Sequence, residues 1–240
     1  ALIIRSQMDY LAGKISEALE QAVEAERENI AGNTLLRIDA LIAQASALVA
    51  LERLDEAERV ARRVLKESVE TNGHDREFRA LDLIARVKRV TAQPDETLHW
   101  YQQSVEAARK SGTDTVDEAT ALNNIGMFLR EIGRSAEAHE YLQKSLEIFR
   151  LRENLRGQAT ALNNLGNIAQ STGDDELARK EYEEALVISQ RLGDVWTEAY
   201  CANNIGVVAM NDALHAEALE QFTRAHELSL VVADRRLEAG

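Results

Sequence analysis

A block of apolar and polar positions recurs along the chain at a spacing of 40 residues. The sequence Ala-Leu-Asn-Asn-Ile-Gly at 121–126 returns as Ala-Leu-Asn-Asn-Leu-Gly at 161–166 and as Cys-Ala-Asn-Asn-Ile-Gly at 201–206. In the first copy, Leu122, Ile125 and Leu129 are three and four residues apart, which places them on one face of a helix. Each block therefore predicts an amphipathic helix, and the constant spacing predicts a repeat protein.

A second pattern begins twelve residues after the glycine of each block. It consists of a small, a large and another small residue, which are Ala138, Leu142 and Ser145 in the first copy. Weaker versions of this pattern extend toward the N-terminus. Because Gly126 has no side chain, we expect the second helix of the repeat to approach the first helix closely at that residue.

Turn residues separate the predicted helices. Gly133 and Gly173 fall between the two helices of their repeats, where a left-handed glycine commonly ends a helix. Asp194 follows Gly193 and is expected to cap the next helix. Runs of β-branched residues with the length of a strand are missing, so the pattern predicts an all-α fold of antiparallel helix pairs.

The repeated positions resemble the tetratricopeptide repeat family over essentially the whole chain. The spacing of 40 residues and the Asn-Asn-x-Gly sequence are similar to a subgroup found in kinesin light chains, polarity adaptors and bacterial signalling proteins. The proline that the family carries after its second helix is absent. The resemblance implies a right-handed α-solenoid, in which the first helix of each repeat lines a concave groove.

Counting backward from the clearest repeats predicts one solenoid over residues 1–240. Its six repeats are expected at 1–32, 33–72, 73–113, 114–153, 154–193 and 194–232. Residues 233–240 align with the opening of a repeat and predict a truncated seventh one. We therefore expect a fragment of a longer protein, and solenoid ends without polar caps leave self-association open.

The charge and the cysteine content limit the partners and the compartment. A net charge of −13 disfavours nucleic acid and anionic membrane surfaces as partners. No apolar stretch has the length of a membrane span. The chain contains a single cysteine, Cys201, so no disulfide can form within it, which is typical of the reducing cytoplasm.

Residues that could perform chemistry do not form a recognisable site. The five histidines fall at unrelated repeat positions and lack the spacing of metal ligands. Cys201 lies among apolar residues and is interpreted as a buried structural thiol rather than a nucleophile. The glycines are spaced as helix ends and form no phosphate-binding loop. The sequence therefore predicts no enzyme activity, no metal and no cofactor.

The predicted groove is rich in asparagine, with arginines toward its N-terminal end. Asparagine amides can clamp the backbone of an extended peptide, and arginines favour a carboxylate. The candidate peptide-binding residues are Asn123, Asn124, Met127, Arg130, Asn163, Asn164, Asn167, Gln170, Tyr200, Asn203, Asn204, Arg79, Arg86 and Arg89. Two alternatives stay open: one amide of each pair could bond the neighbouring repeat, and the arginines could pair with nearby glutamates.

Two functions are compatible with this pattern. The first is a scaffold that binds a protein or peptide and holds an extended segment, acidic or C-terminal, in its groove. The alternative is a regulatory sensor segment of a larger signalling enzyme or transcription regulator. The sequence beyond residue 240 would distinguish them, because a catalytic or DNA-binding domain there would indicate the second.

Overall fold

The computed structural model describes residues 2–11, 13–29, 33–110, 112 and 115–238, without the side chains of residues 11, 29 and 232–238. In this part of the chain all regular secondary structure is helical. The helices are α1 (Leu2–Leu11), α2 (Ile15–Asn29), α3 (Thr34–Ala50), α4 (Leu54–Glu70), α5 (His74–Val90), α6 (Pro94–Lys110), α7 (Val116–Glu131), α8 (Ser135–Leu151), α9 (Leu155–Ser171), α10 (Asp175–Leu192), α11 (Val195–Asn211) and α12 (His215–Glu238).

The chain divides after residue 113 into two compact units. The first unit contains α1–α6 and the second contains α7–α12. Within each unit, every helix contacts the next one along the chain. Successive odd-numbered helices also contact each other; for example, α7 contacts α9, and α9 contacts α11. This arrangement of stacked helix pairs confirms the predicted all-α repeat fold. One solenoid through both units stays a prediction.

The core of the first unit is formed by apolar residues of α3, α4 and α5. Ile38 and Leu41 of α3 pack with Val64 of α4 and Ala80 of α5. The stacking of α5 on α3 is reinforced at the surface by an ion pair, with Arg76 Nε 2.8 Å from Asp39 Oδ1. Apolar burial therefore holds each helix pair to the next in this unit.

The glycines of the repeated blocks allow close helix contact in the second unit, as predicted. A Cβ atom on Gly126 would lie 2.6 Å from Leu142 Cγ, and one on Gly166 would lie 2.6 Å from Tyr182 Cε1. At Gly206 the nearest atom would be Phe222 Cε1, at 2.7 Å. Since carbon atoms make favourable contact near 3.5–4.0 Å, a side chain at these positions would clash.

The turns also follow the sequence prediction. Gly133 and Gly173 have φ angles of 79° and 82°, in the left-handed region that glycine adopts without strain. Gly193 ends α10 in the left-handed conformation, with φ 63°. Asp194 caps α11, because its side chain accepts a hydrogen bond from the backbone N–H of Thr197 at 3.3 Å. Local sequence therefore determines where these helices begin and end.

The last helix runs through the position at which the sequence analysis places the start of a seventh repeat. A new repeat at residue 233 would require a turn, whereas α12 continues from His215 to Glu238. Residues 231–238 contain neither glycine nor proline, so no helix-breaking residue is present there. The tail from residue 233 resembles the opening of a repeat in sequence, but α12 does not end before it.

Candidate functional site

The asparagines of α7, α9 and α11 form a ladder of hydrogen bonds between repeats. Asn164 Nδ2 donates to Asn123 Oδ1 at 3.0 Å, and Asn204 Nδ2 donates to Asn163 Oδ1 at 3.1 Å. In each rung, the second asparagine of one repeat bonds the first asparagine of the preceding repeat. We call these two rungs the amide ladder. It matches the structural alternative that the sequence left open.

The first rung of the ladder is enclosed within the protein. Asn123 and Asn164 are only 5% and 6% exposed. The Nδ2 of Asn123 also contacts Met127 Sδ at 3.6 Å, which engages both ends of this amide. A buried amide without partners would cost about 1–3 kcal/mol, so the rung stabilises the stacking of α9 on α7. Met127 and Asn124 are partly buried beside it.

The second rung is more open to solvent. Asn163 and Asn204 are partly buried, and Asn203 is exposed. Asn163 Oδ1 also accepts from the Cys201 thiol at 3.8 Å, and Asn204 Nδ2 also contacts Asn167 Oδ1 at 3.3 Å. The amide oxygens of this region are therefore occupied by hydrogen bonds within the unit.

A buried tyrosine also donates a hydrogen bond to this group of amides. Tyr182 of α10 is fully buried, and its hydroxyl lies 2.8 Å from Asn167 Oδ1 and 3.4 Å from Gln170 Oε1. Burial raises the pKa of this phenol well above its usual value, so it stays a hydrogen-bond donor. The single phenol proton is donated to the nearer oxygen, Asn167 Oδ1, and so fixes which way the Asn167 amide points.

The amide nitrogens are left as donors. Among the described residues, the Nδ2 atoms of Asn163 and Asn167 have no hydrogen-bond partner. The Nε2 of Gln170 and the Nε of Arg130 are buried and likewise lack an acceptor within the described part of the chain. We call Arg130, Asn163, Asn167 and Gln170 the donor row. The partly buried Asn163 and Asn167 can donate their N–H groups to oxygen atoms of a ligand, whereas the Nε2 of Gln170 and the Nε of Arg130 are enclosed by the protein.

One face of α11, a helix that contacts α9, is aromatic. Tyr200, which the sequence predicted as a site residue, is 57% exposed and stacks on Trp196 with ring centroids 5.9 Å apart and planes 19° apart. Trp196 is 45% exposed. The sequence analysis missed Trp196, although it precedes Tyr200 by four residues and so shares its helix face.

The predicted arginines of the first unit lie on α5. Arg79 is exposed, and Arg86 and Arg89 are partly buried. Arg79 and Arg86 are seven residues apart, which places them on one face two turns apart. Neither forms an ion pair with another residue whose side chain the structure describes.

Cys201 is a buried thiol. Its side chain is fully buried, and burial, together with the negative charges of Asp194 and Glu198, raises the pKa of the thiol to about 12. The protonated form therefore dominates at neutral pH, and a thiol is a poor nucleophile. Across the described residues, no three histidine, cysteine or acidic side chains converge as metal ligands would.

No helix within the described ranges is both long enough and apolar enough to cross a membrane.

Comparison with known proteins supports the repeat architecture. The sequence pattern of the tetratricopeptide repeat family matches residues 76–150 and 157–230. No curated protein matches the chain significantly. The solved structure of BtubC (BKLC) from P. vanneervenii is similar, with a TM-score of 0.74 and 20% identity over 94% of this chain and 92% of that one.

Two further solved structures share the fold. A Rap protein complexed with competence and sporulation factor has a TM-score of 0.71 and 14% identity, over 98% of this chain and 75% of that one. A signal transduction ATPase with a tetratricopeptide repeat sensor, PH0952 from Pyrococcus horikoshii, has a TM-score of 0.74 and 16% identity. That match covers 100% of this chain and 38% of the ATPase. At these identities the similarity establishes the fold.

Proposed function

We propose that this chain, which belongs to the tetratricopeptide repeat family and is a protein-interaction scaffold, binds an extended peptide along α7, α9 and α11 of its second unit. The observation that carries the proposal is the donor row. Internal hydrogen bonds occupy the amide oxygens of Asn163 and Asn167, while their nitrogens have no acceptor among the described residues.

The chemistry of the donor row defines the ligand groups that fit it. Backbone carbonyls recur along an extended peptide, and each can accept a hydrogen bond from a side-chain amide. One such bond contributes about 0.5–1.5 kcal/mol, so several are needed for useful affinity. Arg130 would prefer a carboxylate, either an acidic side chain or a free C-terminus, at about 1.5–3 kcal/mol.

The roles of the predicted asparagines differ in this proposal. Asn163 is the main clamp, and Asn203, which is exposed, is a second one. Asn123 and Asn164 hold the repeats together, because both are buried in the first rung. Asn204 holds the side chain of Asn163 in place, because its Nδ2 donates a hydrogen bond to Asn163 Oδ1. The arginines Arg79, Arg86 and Arg89 form a separate candidate surface for acidic segments on α5.

The substitution Asn163→Asp tests the donor row with little change in shape. The aspartate keeps an oxygen for Asn204, so the rung is retained, but it replaces the Nδ2 donor by an acceptor. Peptides would be selected from a random display library on the wild-type chain and their affinities measured by calorimetry. We expect Asn163→Asp to weaken them about tenfold, which corresponds to one lost hydrogen bond of about 1.4 kcal/mol.

A matched control separates the donor from the added charge. Gln143→Glu introduces the same charge at an exposed position of α8, away from the donor row, and should leave the affinities within about twofold. If the library yields no peptide, or if both variants bind the selected peptides as the wild type does, the proposed site is incorrect.

A regulatory sensor is the second candidate function. It is favoured by the similarity to a signal transduction ATPase that is described as having a tetratricopeptide repeat sensor. The structure of the Rap protein complexed with competence and sporulation factor is a second similar fold with a bound partner. In this case, the peptide would alter the activity of another domain. Addition of a selected peptide to a chain carrying its neighbouring sequence would change that activity, whereas a pure scaffold would show binding alone.

A further inference from the structure

Exposed apolar residues line one face of α11. Tyr200, Val207 and Met210 follow one another at steps of seven and three residues, which places them on the same side of the helix. Their exposed fractions are 57%, 36% and 48%. We call these three residues the apolar strip. Single exposed apolar residues are common on proteins, whereas an aligned set is typical of an interaction surface.

The apolar strip is separate from the core of the second unit. The core face of α11 carries Ile205 and Val208, which are buried in a cluster with residues of α10. At the positions 40 residues before the strip, α9 has Thr160, Asn167 and Gln170, which are all polar. Since α9 forms the same helix with polar residues there, the repeat fold does not require apolar side chains at these positions. The strip is therefore available for contact with a ligand.

The apolar strip lies beside the asparagines of the donor row. Asn204 Nδ2 donates to Asn163 Oδ1 at 3.1 Å and contacts Asn167 Oδ1 at 3.3 Å. Asn204 and Val207 are three residues apart, so they are neighbours on the surface of α11. A ligand that is held by the amide nitrogens of α9 therefore reaches the strip when it continues toward α11.

The spacing of the helices determines which ligand residue meets the strip. α9 contacts α11, and the axes of packed helices are typically about 8–10 Å apart. An extended peptide advances about 3.3 Å per residue, so about three residues cover this distance. An apolar side chain at that point is stabilised by leaving water. A charged one would lose hydration, because the strip contains no charge to pair with it.

We propose that the apolar strip binds a large apolar side chain of the peptide ligand, about three residues from the carbonyl that α9 holds. The inference rests on the proposed function, since the donor row would hold the backbone of the same peptide. Met210 has a flexible, unbranched side chain that adapts to different shapes, so leucine, methionine and phenylalanine would all fit. A uniformly polar or acidic segment would bind more weakly.

The test compares two peptides that differ in one side chain of similar size. The first is the acetylated, amidated hexapeptide Ser-Gly-Ser-Leu-Gly-Ser, and the second carries asparagine in place of leucine. Titrations of the wild-type chain followed by nuclear magnetic resonance, which detects millimolar affinities, should give an affinity about tenfold higher for the leucine peptide. This preference should persist in high salt, because salt screens charges and the contact involves none.

Substitutions that copy α9 onto α11 locate the effect. Val207→Asn and Met210→Gln introduce the residues that α9 carries at the equivalent positions, so α11 should tolerate them. The double variant should bring the ratio of the two affinities close to one and leave the asparagine peptide within about twofold of its wild-type affinity. The control is Val187→Asn, which makes the same chemical change at a valine of α10 that is 55% exposed, and it should leave the ratio unchanged.

The outcomes separate this inference from the proposed function. The strip is not the contact if the two peptides bind equally, if the double variant keeps the ratio, or if library-selected peptides bind while neither hexapeptide does at millimolar concentration. If Asn163→Asp still weakens the peptides that bind, only the strip is wrong. If Asn163→Asp leaves the asparagine peptide unaffected while the double variant removes the leucine preference, only the donor row is wrong.

Self-association is the competing use of the strip, and sedimentation velocity over a range of protein concentrations detects it. A wild-type chain that dimerises and shows no leucine preference, together with a monomeric double variant, would mean that a second copy covers the strip. That result would overturn the inference. A leucine preference that the double variant removes would support the contact with a peptide.

Discussion

The contact between Gly166 and Tyr182 predicts a large effect of adding a single methyl group. In Gly166→Ala, the new Cβ would lie 2.6, 2.7 and 3.0 Å from three atoms of the tyrosine ring. The ring cannot move outward freely, because Tyr182 is fully buried and its hydroxyl bonds Asn167 and Gln170. Either the ring or the helix α9 must shift.

The size of the effect follows from two opposing terms. Alanine is favoured over glycine in a helix interior by about 1 kcal/mol. Overpacking costs about 1–3 kcal/mol, and a shift of the ring would also weaken the hydroxyl's hydrogen bonds, at about 0.5–1.5 kcal/mol each. We therefore expect Gly166→Ala to lower the free energy of unfolding by about 1–3 kcal/mol.

Gly206→Ala provides a matched control in the next repeat. Its Cβ would approach the ring of Phe222 at 2.7 Å, but Phe222 is only partly buried and has no hydroxyl, so it can rotate toward solvent. The gain in helix propensity should then offset most of the strain. The free energy of unfolding of Gly206→Ala should therefore stay within about 1 kcal/mol of the wild-type value.

Urea unfolding followed by circular dichroism measures both variants. Repeat proteins can unfold in stages, so midpoints and slopes are compared together. Tyr182→Phe measures the hydroxyl bonds alone, and its combination with Gly166→Ala shows how much of the effect is the ring clash. A Gly166→Ala variant as stable as the wild type or as Gly206→Ala would refute the argument that a fixed tyrosine ring enforces the glycine.

Three further predictions concern the second unit. Asn204→Ala should lower the free energy of unfolding by about 1–2 kcal/mol in urea titrations, because it removes the bonds to two amide oxygens, whereas exposed Asn203→Ala should change it by less than about 0.5 kcal/mol. Ala213→Gly should raise the midpoint of thermal unfolding, with about 0.5–1 kcal/mol of added stability, because Ala213 has a φ angle of 59° in the turn before α12. Cys201 should resist a thiol reagent at pH 8 until the protein unfolds. The pKa of this thiol is about 12 in the folded protein and near 9 in the unfolded chain, so the free energy of unfolding should fall as the pH rises through this interval. In Cys201→Ala, the free energy of unfolding should fall less over the same pH range.

Several features of the fold could be read from the sequence because they depend on local spacing. The stripe of Leu122, Ile125 and Leu129 is buried as its helical spacing predicted. The left-handed turns at Gly133 and Gly173 follow from the same kind of local rule. In contrast, a seventh repeat from residue 233 stays a prediction, and α12 continues through that position without a break.

The candidate site could be predicted only in part. The sequence identified the asparagine face, but it could not show that Asn164 bonds Asn123, 41 residues away, or that the Tyr182 hydroxyl lies near Asn167. The choice between amides that bind a ligand and amides that bind a neighbour depends on the distance between adjacent repeats. That distance is set by the packing of whole helices.

The sequence by itself determined the repeat, its helix pairs and the family, because helical periodicity and glycine placement act over a few residues. Only the tertiary structure decided which polar atoms remain available. The stacking of α7, α9 and α11 occupies the oxygens of Asn163 and Asn167 and leaves their nitrogens as donors, while it keeps Trp196 and Tyr200 exposed. Whether a polar atom or a ring can reach a ligand depends on residues far away in the sequence. A local sequence pattern therefore cannot reveal it.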